Sequence, residues 1–430
     1  LIANAPAVET NNNAPSDITY DIVILGAGPA GLSAAIFGAR AGLTVLVLGS
    51  RSGLLAETPR LENFPGYYDK SEIVTGTGEH WLETTRSQAR SLGAHFALPG
   101  LMGSSLERSQ MDDGFALNTQ LDTFHAKSVV VATGATSRKL NLAHEDDLWG
   151  KSLHNCAICD GQMYRGKNVL IVGGGDAAVD AAIYLSRQAS HVYLVHRRTS
   201  FNKVKAQSSL QLIHRTSNIE ILTPFIVTEW VVASEDVMQL SGVMIQNIEN
   251  RKTQFLSCDG AFLMIGATPN TAWLSDTLLL DDHGLIRLDT HEENESTNGM
   301  TTLTSLPGVF AAGEVTDSQY RQAITAAAAG AQATLDAERW LRLDNSKETK
   351  PSNTINGKNE EWNEAPRKQP HQITRQERVL EKNESQQEDG ACDLTHEECI
   401  QHIVEKYPVV VFSKPWYVSR SHVNLFSVYF

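Results

Sequence analysis

Two cysteines, Cys156 and Cys159, stand two residues apart, and Asp160 follows at once. Thiols at this spacing can close a small disulfide, and their closeness favours ionisation of one of them. The thiolate is the species that attacks a disulfide sulfur, so the pair is equipped for thiol–disulfide exchange. A carboxyl on the next residue is placed to give or take the proton that such exchange moves. A structural zinc site would use the same cysteines but needs two more ligands, usually a second Cys-x-x-Cys or a His pair. Cys258, Cys392 and Cys399 offer no such pair, and His154 alone is better explained by local hydrogen bonding, so no metal is expected. Two buried structural cysteines are the plainer alternative. Cys258, alone in a strand-like stretch, reads as a packing residue.

The pair lies between two segments of one design, YDIVILGAGPAGLSAAIFGARAGLTVLVLG (20–49) and KNVLIVGGGDAAVDAAIYLSRQASHVYLVHRR (167–198). Each reads as strand, glycine-rich turn, helix and second strand, the plan of a dinucleotide-binding unit. In the first, Gly26, Gly28 and Gly31 make G-x-G-x-x-G around Pro29 and Ala30, directly after a strand over Asp21–Leu25. Glycines there permit a tight turn and close approach of a pyrophosphate to the free N–H groups of the helix. A bare glycine pattern is weak, but here the flanking strand and helix accompany it. The acidic residue that usually grips the ribose is missing, since Gly49, Ser50 and Arg51 end the second strand. The ribose must be held in another way.

The second turn is Gly173-Gly174-Gly175-Asp176-Ala177-Ala178, the variant with alanine last, and its second strand ends in His196-Arg197-Arg198 with Lys203 beyond. Cations where an acid is usual suit a 2′-phosphate, because guanidinium groups bind phosphate through paired charged hydrogen bonds. NADPH is therefore expected over NADH. A solvated basic strand end is the alternative, but this place, about 20 residues past the glycines, is where the ribose lies.

A chain with two such units can pass electrons from a nicotinamide to a flavin, and from there to a thiol pair. GVFAAGEV (308–315) is an apolar strand running into a Gly-Glu turn, and RQAITAAAAGAQATLDAERWL (321–341) reads as a helix. Its start would stabilise the negative charge of a reduced flavin, which places FAD in the first unit. Asp160 then has a second candidate task, proton transfer to the flavin.

The fold class is α/β, with two Rossmann-like nucleotide-binding domains. A length of 430 residues allows two or three domains. A net charge of −14 speaks against non-specific nucleic-acid binding. No window reaches the roughly 18 to 20 apolar residues of a membrane-spanning helix. Residues 1–16 read as a flexible leader and the polar stretch 343–390 as a disordered linker, with order returning near Cys392.

The order of motifs is itself informative: GAGPAGLSAA (26–35), ENFPG (62–66), ATGA (132–135), CAICDG (156–161), VGGGDAAVDAA (172–182), HRRTSF (196–201), IGATPNT (265–271), GVFAAGEV (308–315) and RQA (321–323). With these, residues from about 18 to 342 resemble the low-molecular-weight thioredoxin reductase family along nearly their whole length. The resemblance implies that Cys159 lies against the flavin, Cys156 attacks the partner disulfide and Asp160 serves as acid–base residue. It implies FAD contacts from the first glycine turn and from Ser50, Gly53, Leu54, Asn63, Thr133, Gly134, Gly313, Glu314, Arg321, Gln322 and Ala323. NADPH would take Gly173 to Ala177, His196, Arg197, Arg198 and Lys203. It further implies a homodimer, a thioredoxin-like protein substrate, and a flavin domain in two segments (17–136 and 265–342) around an NADPH domain (137–264). Hinges near residues 137 and 264 would let the two domains alternate between orientations.

Several positions depart from the family. Its Gly-Gly-Gln is Ser52-Gly53-Leu54, its Gly-Asp turn is Gly313-Glu314, a usual His is Ala267, and Lys203 stands where Arg is common. The tail CIQHIVEKYPVVVFSKPW (399–416) resembles the start of a glutaredoxin domain, making 391–430 a partial glutaredoxin-like segment. A Cys-Pro-Tyr-Cys-type site would follow Trp416, yet the chain runs through Tyr417 to Phe430 without one. A truncated fusion, its last residues from an incorrect gene model with an intron start at Val418-Ser419, is expected; a divergent tail is the alternative. The expected location is the cytoplasm, with a plastid or mitochondrion left open because the chain starts at Leu1. A ferredoxin/flavodoxin–NADP reductase lacks the thiol pair, and a dithiol oxidase has little use for the basic NADPH site. A degenerate redox-sensing flavoprotein is the non-enzymatic alternative.

Overall fold

The computed structural model describes residues 15–50, 53–67, 76–97, 103–109, 114–234, 238–289 and 299–348. The expected leader up to residue 14, Arg51 and Ser52, the expected linker beyond 348, and the tail with Cys392 and Cys399 lie outside these residues.

The first nucleotide unit opens with β1 (Thr19–Leu25), α1 (Pro29–Arg40) and β2 (Val45–Leu48), followed by α2 (Gly78–Ser91), β3 (His95–Phe96), β4 (Ser105–Arg108), β5 (Phe115–Asn118) and β6 (Thr123–Val131). The apolar runs of β1 and β2 pair in parallel from Ile22↔Val45 to Leu25↔Leu48. Both strands are buried along nearly their whole length, as strands covered on two faces must be.

The chain then crosses through β7 (Ala135–Ser137), α3 (Glu145–Leu148), β8 (Leu153–His154) and α4 (Ala157–Asp160). The second unit follows as β9 (Asn168–Gly173), α5 (Asp176–Ser186), β10 (His191–Val195), α6 (Gln207–Arg215) and β11 (Ile219–Leu222). A meander of β12 (Phe225–Val232), β13 (Leu240–Asn247) and β14 (Thr253–Ser257) precedes β15 (Gly260–Met264). The return path is β16 (Ala267–Pro269), β17 (Val309–Ala311) and α7 (Ala323–Glu348).

Two sheets result. The first has the order β3-β2-β1-β6-β5-β4, with β17 parallel to β6; the second runs β11-β10-β9-β15-β8. The antiparallel meander, which the sequence reading did not single out, packs Trp230, Val243 and Leu256 into one cluster with Leu170, Val172 and Leu263 of the second sheet. The two crossings pair with each other, β7 against β16, from Ala267↔Ser137 to Pro269↔Ala135. This two-strand ribbon lies beside the expected hinge positions.

α1 and α7 pack closely because small residues face each other. A Cβ on Gly330 would run into the backbone of Ala30, and the Thr334 hydroxyl donates to the Ala34 carbonyl at 3.1 Å. Expected limits of α7 need correction at both ends. Arg321 has φ +49°, outside the helix, because the Asp317 carboxylate accepts the N–H groups of Gln319, Tyr320 and Arg321 at 2.8–2.9 Å. The helix starts instead at Ala323, with the Gln322 N–H given to Thr325 Oγ1 at 3.3 Å. At its other end it runs to Glu348, into the expected linker, since no Gly or Pro interrupts the chain before Pro351.

Candidate functional site

The cysteine pair belongs to the second sheet. β8 joins its edge through Leu153↔Ala261 and His154↔Phe262, and the next turn delivers Cys156 as the residue before α4. Cys156 and Cys159 form a disulfide with S–S 2.12 Å, and the Cys159 N–H points at Cys156 Sγ from 3.2 Å. Both sulfur-bearing residues are half-buried, whereas Ile158 between them is exposed. The facing wall comes from the other unit. Gln322 Nε2 lies 3.9 Å from Cys156 Sγ and its Oε1 4.0 Å from Cys159 Sγ, while Asn63 Nδ2 donates to that same Oε1 at 3.1 Å. Gln322, expected among the flavin contacts, thus meets the disulfide across the two units, and Asn63, expected there too, holds the Gln322 amide.

Asp160 is buried behind the pair. Its Oδ2 lies 3.3 Å from His154 Nδ1, and His154 Nε2 lies 2.7 Å from the Tyr164 hydroxyl. Burial first, then the charges of Asp160, Asp259 and Cys258, pushes the Tyr164 phenol well above its usual range. Asp160 Oδ1 is enclosed without a hydrogen-bond partner among the described residues. His154 does make a local hydrogen bond, to the Tyr164 hydroxyl, as its isolation in the sequence suggested, but its other ring nitrogen lies within ion-pair distance of the carboxyl beside the cysteines. Cys258 packs in the core, where burial and then Asp259 push its thiol up to about 12, so it has no nucleophilic form near neutral pH. Among the described residues no cluster of His, Cys, Asp or Glu could hold a metal.

The two glycine turns divide their glycines by task. Gly26 has φ +115°, and a Cβ there would strike the Ala132 carbonyl; one on Gly31 would strike the carbonyl of Gly26. Gly28 is different: its φ is −81° and an added Cβ would meet nothing within 4 Å. Neither strain nor crowding within the chain requires glycine at this position. It leaves open an approach to the N-terminus of α1, where no side chain caps the helix and Pro29 fills the first turn. In the second turn Gly173 is crowded by the Met264 carbonyl and Gly174 by the His196 ring, while Gly175, with φ −110°, again faces nothing within 4 Å. Each unit therefore carries an open cradle at an uncapped helix start, which fits the pyrophosphates of FAD and NADPH.

Around the first cradle, a small open depression at the end of β2 is lined by Ala27, Gly49, Arg86, Arg90 and Phe96, among others. Arg86 is buried and pairs with Glu83 at 2.7 Å; Arg90 stacks over Phe96 at 5.1 Å. Sequence reading missed these arginines, although Arg86 falls on the buried stripe of α2 with Trp81, Leu82, Thr85 and Ala89. Ser50 and Leu54 are half-buried and Gly53 exposed. Thr133 and Gly134 are tied to Asn270, whose side chain donates to the Thr133 carbonyl at 3.0 Å and whose N–H donates to the Gly134 carbonyl at 2.9 Å. Gly313 has φ +80° and lies close against Ala30. Burial pushes the neighbouring Glu314 carboxyl up, opposed by Arg321 and reinforced by Asp317.

At the second cradle Lys203 forms a parallel bridge with Gly175, and Asp176 Oδ1 accepts the N–H groups of Lys205 and Ala206 at 2.8 and 3.2 Å. Arg197, Arg198 and Lys203 are exposed. His196 is half-buried at the strand end, its Nε2 3.2 Å from the Ser200 carbonyl. Its ring stacks on Phe201 at 5.0 Å, and burial, then Arg198 and Arg197, holds its pKa below the usual histidine value.

Residues 20–330 match the family model for pyridine nucleotide-disulphide oxidoreductases. The chain is 38% identical over 326 residues to the thioredoxin reductase of Coxiella burnetii, covering 75% of this chain and 96% of that one. It is 35% identical to the bifunctional thioredoxin reductase/thioredoxin of Mycobacterium leprae, covering 77% of this chain and 68% of the relative. Among solved structures, a thioredoxin reductase from Giardia duodenalis superposes with a TM-score of 0.66 at 34% identity, covering 75% of this chain and 99% of that one. No described helix is long and apolar enough to cross a membrane.

Proposed function

Because this chain belongs to the pyridine nucleotide-disulphide oxidoreductase family, and within it to the thioredoxin reductases, we propose that Cys156–Cys159 is the redox centre through which it reduces a thioredoxin-type disulfide. The activity is that of an NADPH-dependent thioredoxin-disulfide reductase, a flavoprotein using FAD and NADPH. One observation carries the residue-level reading: a disulfide borne by one nucleotide unit rests against Gln322 of the other, itself held by Asn63, with an open phosphate cradle in each.

FAD, when bound, takes a hydride from NADPH and supplies two electrons to a disulfide. The turn at Gly26–Gly31 would hold its pyrophosphate, with Arg86 and Arg90 near the adenosine end in place of the missing acid. Gly173 to Ala177 would hold the pyrophosphate of NADPH, and Arg197, Arg198 and Lys203 its 2′-phosphate. In the reduced pair, the Cys156 thiolate attacks one target sulfur and the other target sulfur leaves. Cys159 then attacks Cys156 in the mixed disulfide, releasing the second target thiolate and restoring the Cys156–Cys159 bond. Two electrons and two protons pass to the target, and Asp160 handles protons for the pair.

The flavin domain (17–136 and 265–342), the NADPH domain (137–264) and a swing about the β7–β16 ribbon belong to the same proposal, as do a homodimer and a cytoplasmic site of action. The glutaredoxin-like reading of 399–416 rests on that sequence alone. The bifunctional relative shows that a reductase of this kind occurs with a carrier in one chain. Purified protein should bind flavin, lose flavin absorbance on addition of NADPH, and reduce thioredoxin. Cys156→Ser should keep the absorbance change and lose thioredoxin reduction; retained reduction overturns the proposal.

A further inference from the structure

We propose that His154, Asp160 and Tyr164 form a buried proton reservoir for the Cys156–Cys159 pair, with His154 and Tyr164 as positioning residues acting through Asp160. This rests on the thioredoxin reductase reading above. The three side chains are buried with residue exposures of 3%, 4% and 3%. They form one line: Asp160 Oδ2 to His154 Nδ1 at 3.3 Å, His154 Nε2 to the Tyr164 hydroxyl at 2.7 Å, and that hydroxyl to the Lys151 carbonyl at 3.3 Å.

Counting hydrogens shows what this line can do. Nδ1 and Oδ2, 3.3 Å apart and buried, repel through their lone pairs unless one hydrogen lies between them, and the Tyr164 hydroxyl has one hydrogen with two acceptors in reach. When that hydrogen points at Nε2, the ring bears its hydrogen on Nδ1 and Asp160 is a carboxylate. When it turns to the Lys151 carbonyl, Nε2 must itself donate to the phenol oxygen, and a hydrogen still lies between Nδ1 and Oδ2. The second arrangement holds one proton more than the first. The two differ by that proton, carried on Nε2, and by rotation of a single O–H bond, and the atoms along the line are paired in both. An added proton is therefore stored without moving a heavy atom.

Asp160 Oδ1, enclosed and unpartnered among the described residues, is the remaining open position on this network. The Asp160 N–H donates to the Cys156 carbonyl at 3.1 Å, which fixes the carboxyl-bearing residue to the reactive turn. Other groups face the line as well. The Lys167 ammonium lies 5.8 Å from the Tyr164 ring centre, and Asp259 and Cys258 act on the Tyr164 phenol. Phe262 of β15 covers His154 and Tyr164 with ring centres 5.4 and 5.6 Å away.

During exchange with a target disulfide, the target S–S bond breaks and the Cys156–Cys159 bond forms. Two electrons pass from the enzyme sulfurs to the target sulfurs. The proton lost by Cys156 on ionising enters the reservoir and returns to the departing target thiolate, leaving the reservoir as it began. Cys159 loses its proton to solvent, and solvent protonates the other target thiolate.

The test is the pH profile of thioredoxin turnover in the flavin-loaded enzyme and in two variants. His154→Asn can still hydrogen-bond Asp160 but cannot carry the extra proton; Tyr164→Phe removes the rotating hydroxyl. Both should keep NADPH-dependent loss of flavin absorbance, lose about tenfold in turnover at alkaline pH, and shift the alkaline limb to lower pH. Profiles of unchanged shape in both variants, whatever their absolute rates, overturn the reservoir. If the variants fail to fold, nitrogen NMR of the wild-type imidazoles decides. The reservoir requires hydrogen on His154 Nδ1 in the disulfide form and hydrogen on Nε2 once Cys156 of the reduced pair has ionised; a bare Nδ1 in the disulfide form, or an Nε2 unchanged between the two, overturns it. A wild-type enzyme unable to reduce thioredoxin would instead remove the underlying reading, while the imidazole spectrum still judges the reservoir.

Discussion

The two glycine turns share a backbone plan and diverge at the ends of their second strands. Each has crowded glycines that shape the turn and one open glycine, Gly28 or Gly175, that the chain itself does not require. The first strand end is Gly49-Ser50 with Arg86 and Arg90 behind it; the second is His196-Arg197-Arg198 with Lys203 bridged to the turn. The backbone thus offers the same open turn twice, and under the proposed function the side chains around it choose the dinucleotide.

Four variants break or sharpen this comparison. The largest effect is expected for Gly31→Val, whose side chain must displace the Gly26 carbonyl. It should cost about 3 kcal/mol or more in urea unfolding and abolish flavin retention. Next, Arg197→Ala with Arg198→Ala should raise the KM for NADPH by about 10- to 100-fold, the loss of charged hydrogen bonds. The KM for NADH should barely move, and an equal loss for both cofactors would contradict the assignment of the second strand end. Gly28→Ala adds a methyl group that touches nothing in the protein, so unfolding should be nearly unchanged while the Kd for FAD rises about tenfold. Unaltered flavin affinity would show that the open glycine does not face the ligand.

The smallest effect concerns Glu314, whose carboxyl is pushed above its ordinary value of 4.5, first by burial. A raised folded value means its contribution to stability is complete below that ordinary value and is lost as pH rises through the folded one. Flavin-free Glu314→Gln should therefore melt with the wild type in acid and above it at neutral pH. A gap that widens toward acid would reverse the sign.

Local pattern made both nucleotide units legible: β1, α1, β2 and β9, α5, β10 stand where alternating apolar runs and glycines place them. Side-chain competition was harder to read. Asp317 delays the start of α7 by accepting three N–H groups, and no glycine or proline marks where that helix should stop. The meander over Phe225–Ser257 lacked a chemical motif to draw notice. Contacts between distant segments were least visible. Gln322 and Cys159 are separated by 163 residues, and only the folded chain shows that they touch. His154 looked ordinary because its significance lies in Tyr164 and Asp160, brought to it by β8 and the turn after α4.

The most direct measurement is an anaerobic reductive titration followed by flavin absorbance. With Cys156 and Cys159 coupled to the flavin, the wild type should take up four electrons, two on the disulfide and two on the flavin. Cys156→Ser with Cys159→Ser should take up two. Two electrons in both proteins would contradict the claim that this disulfide is the flavin's outlet.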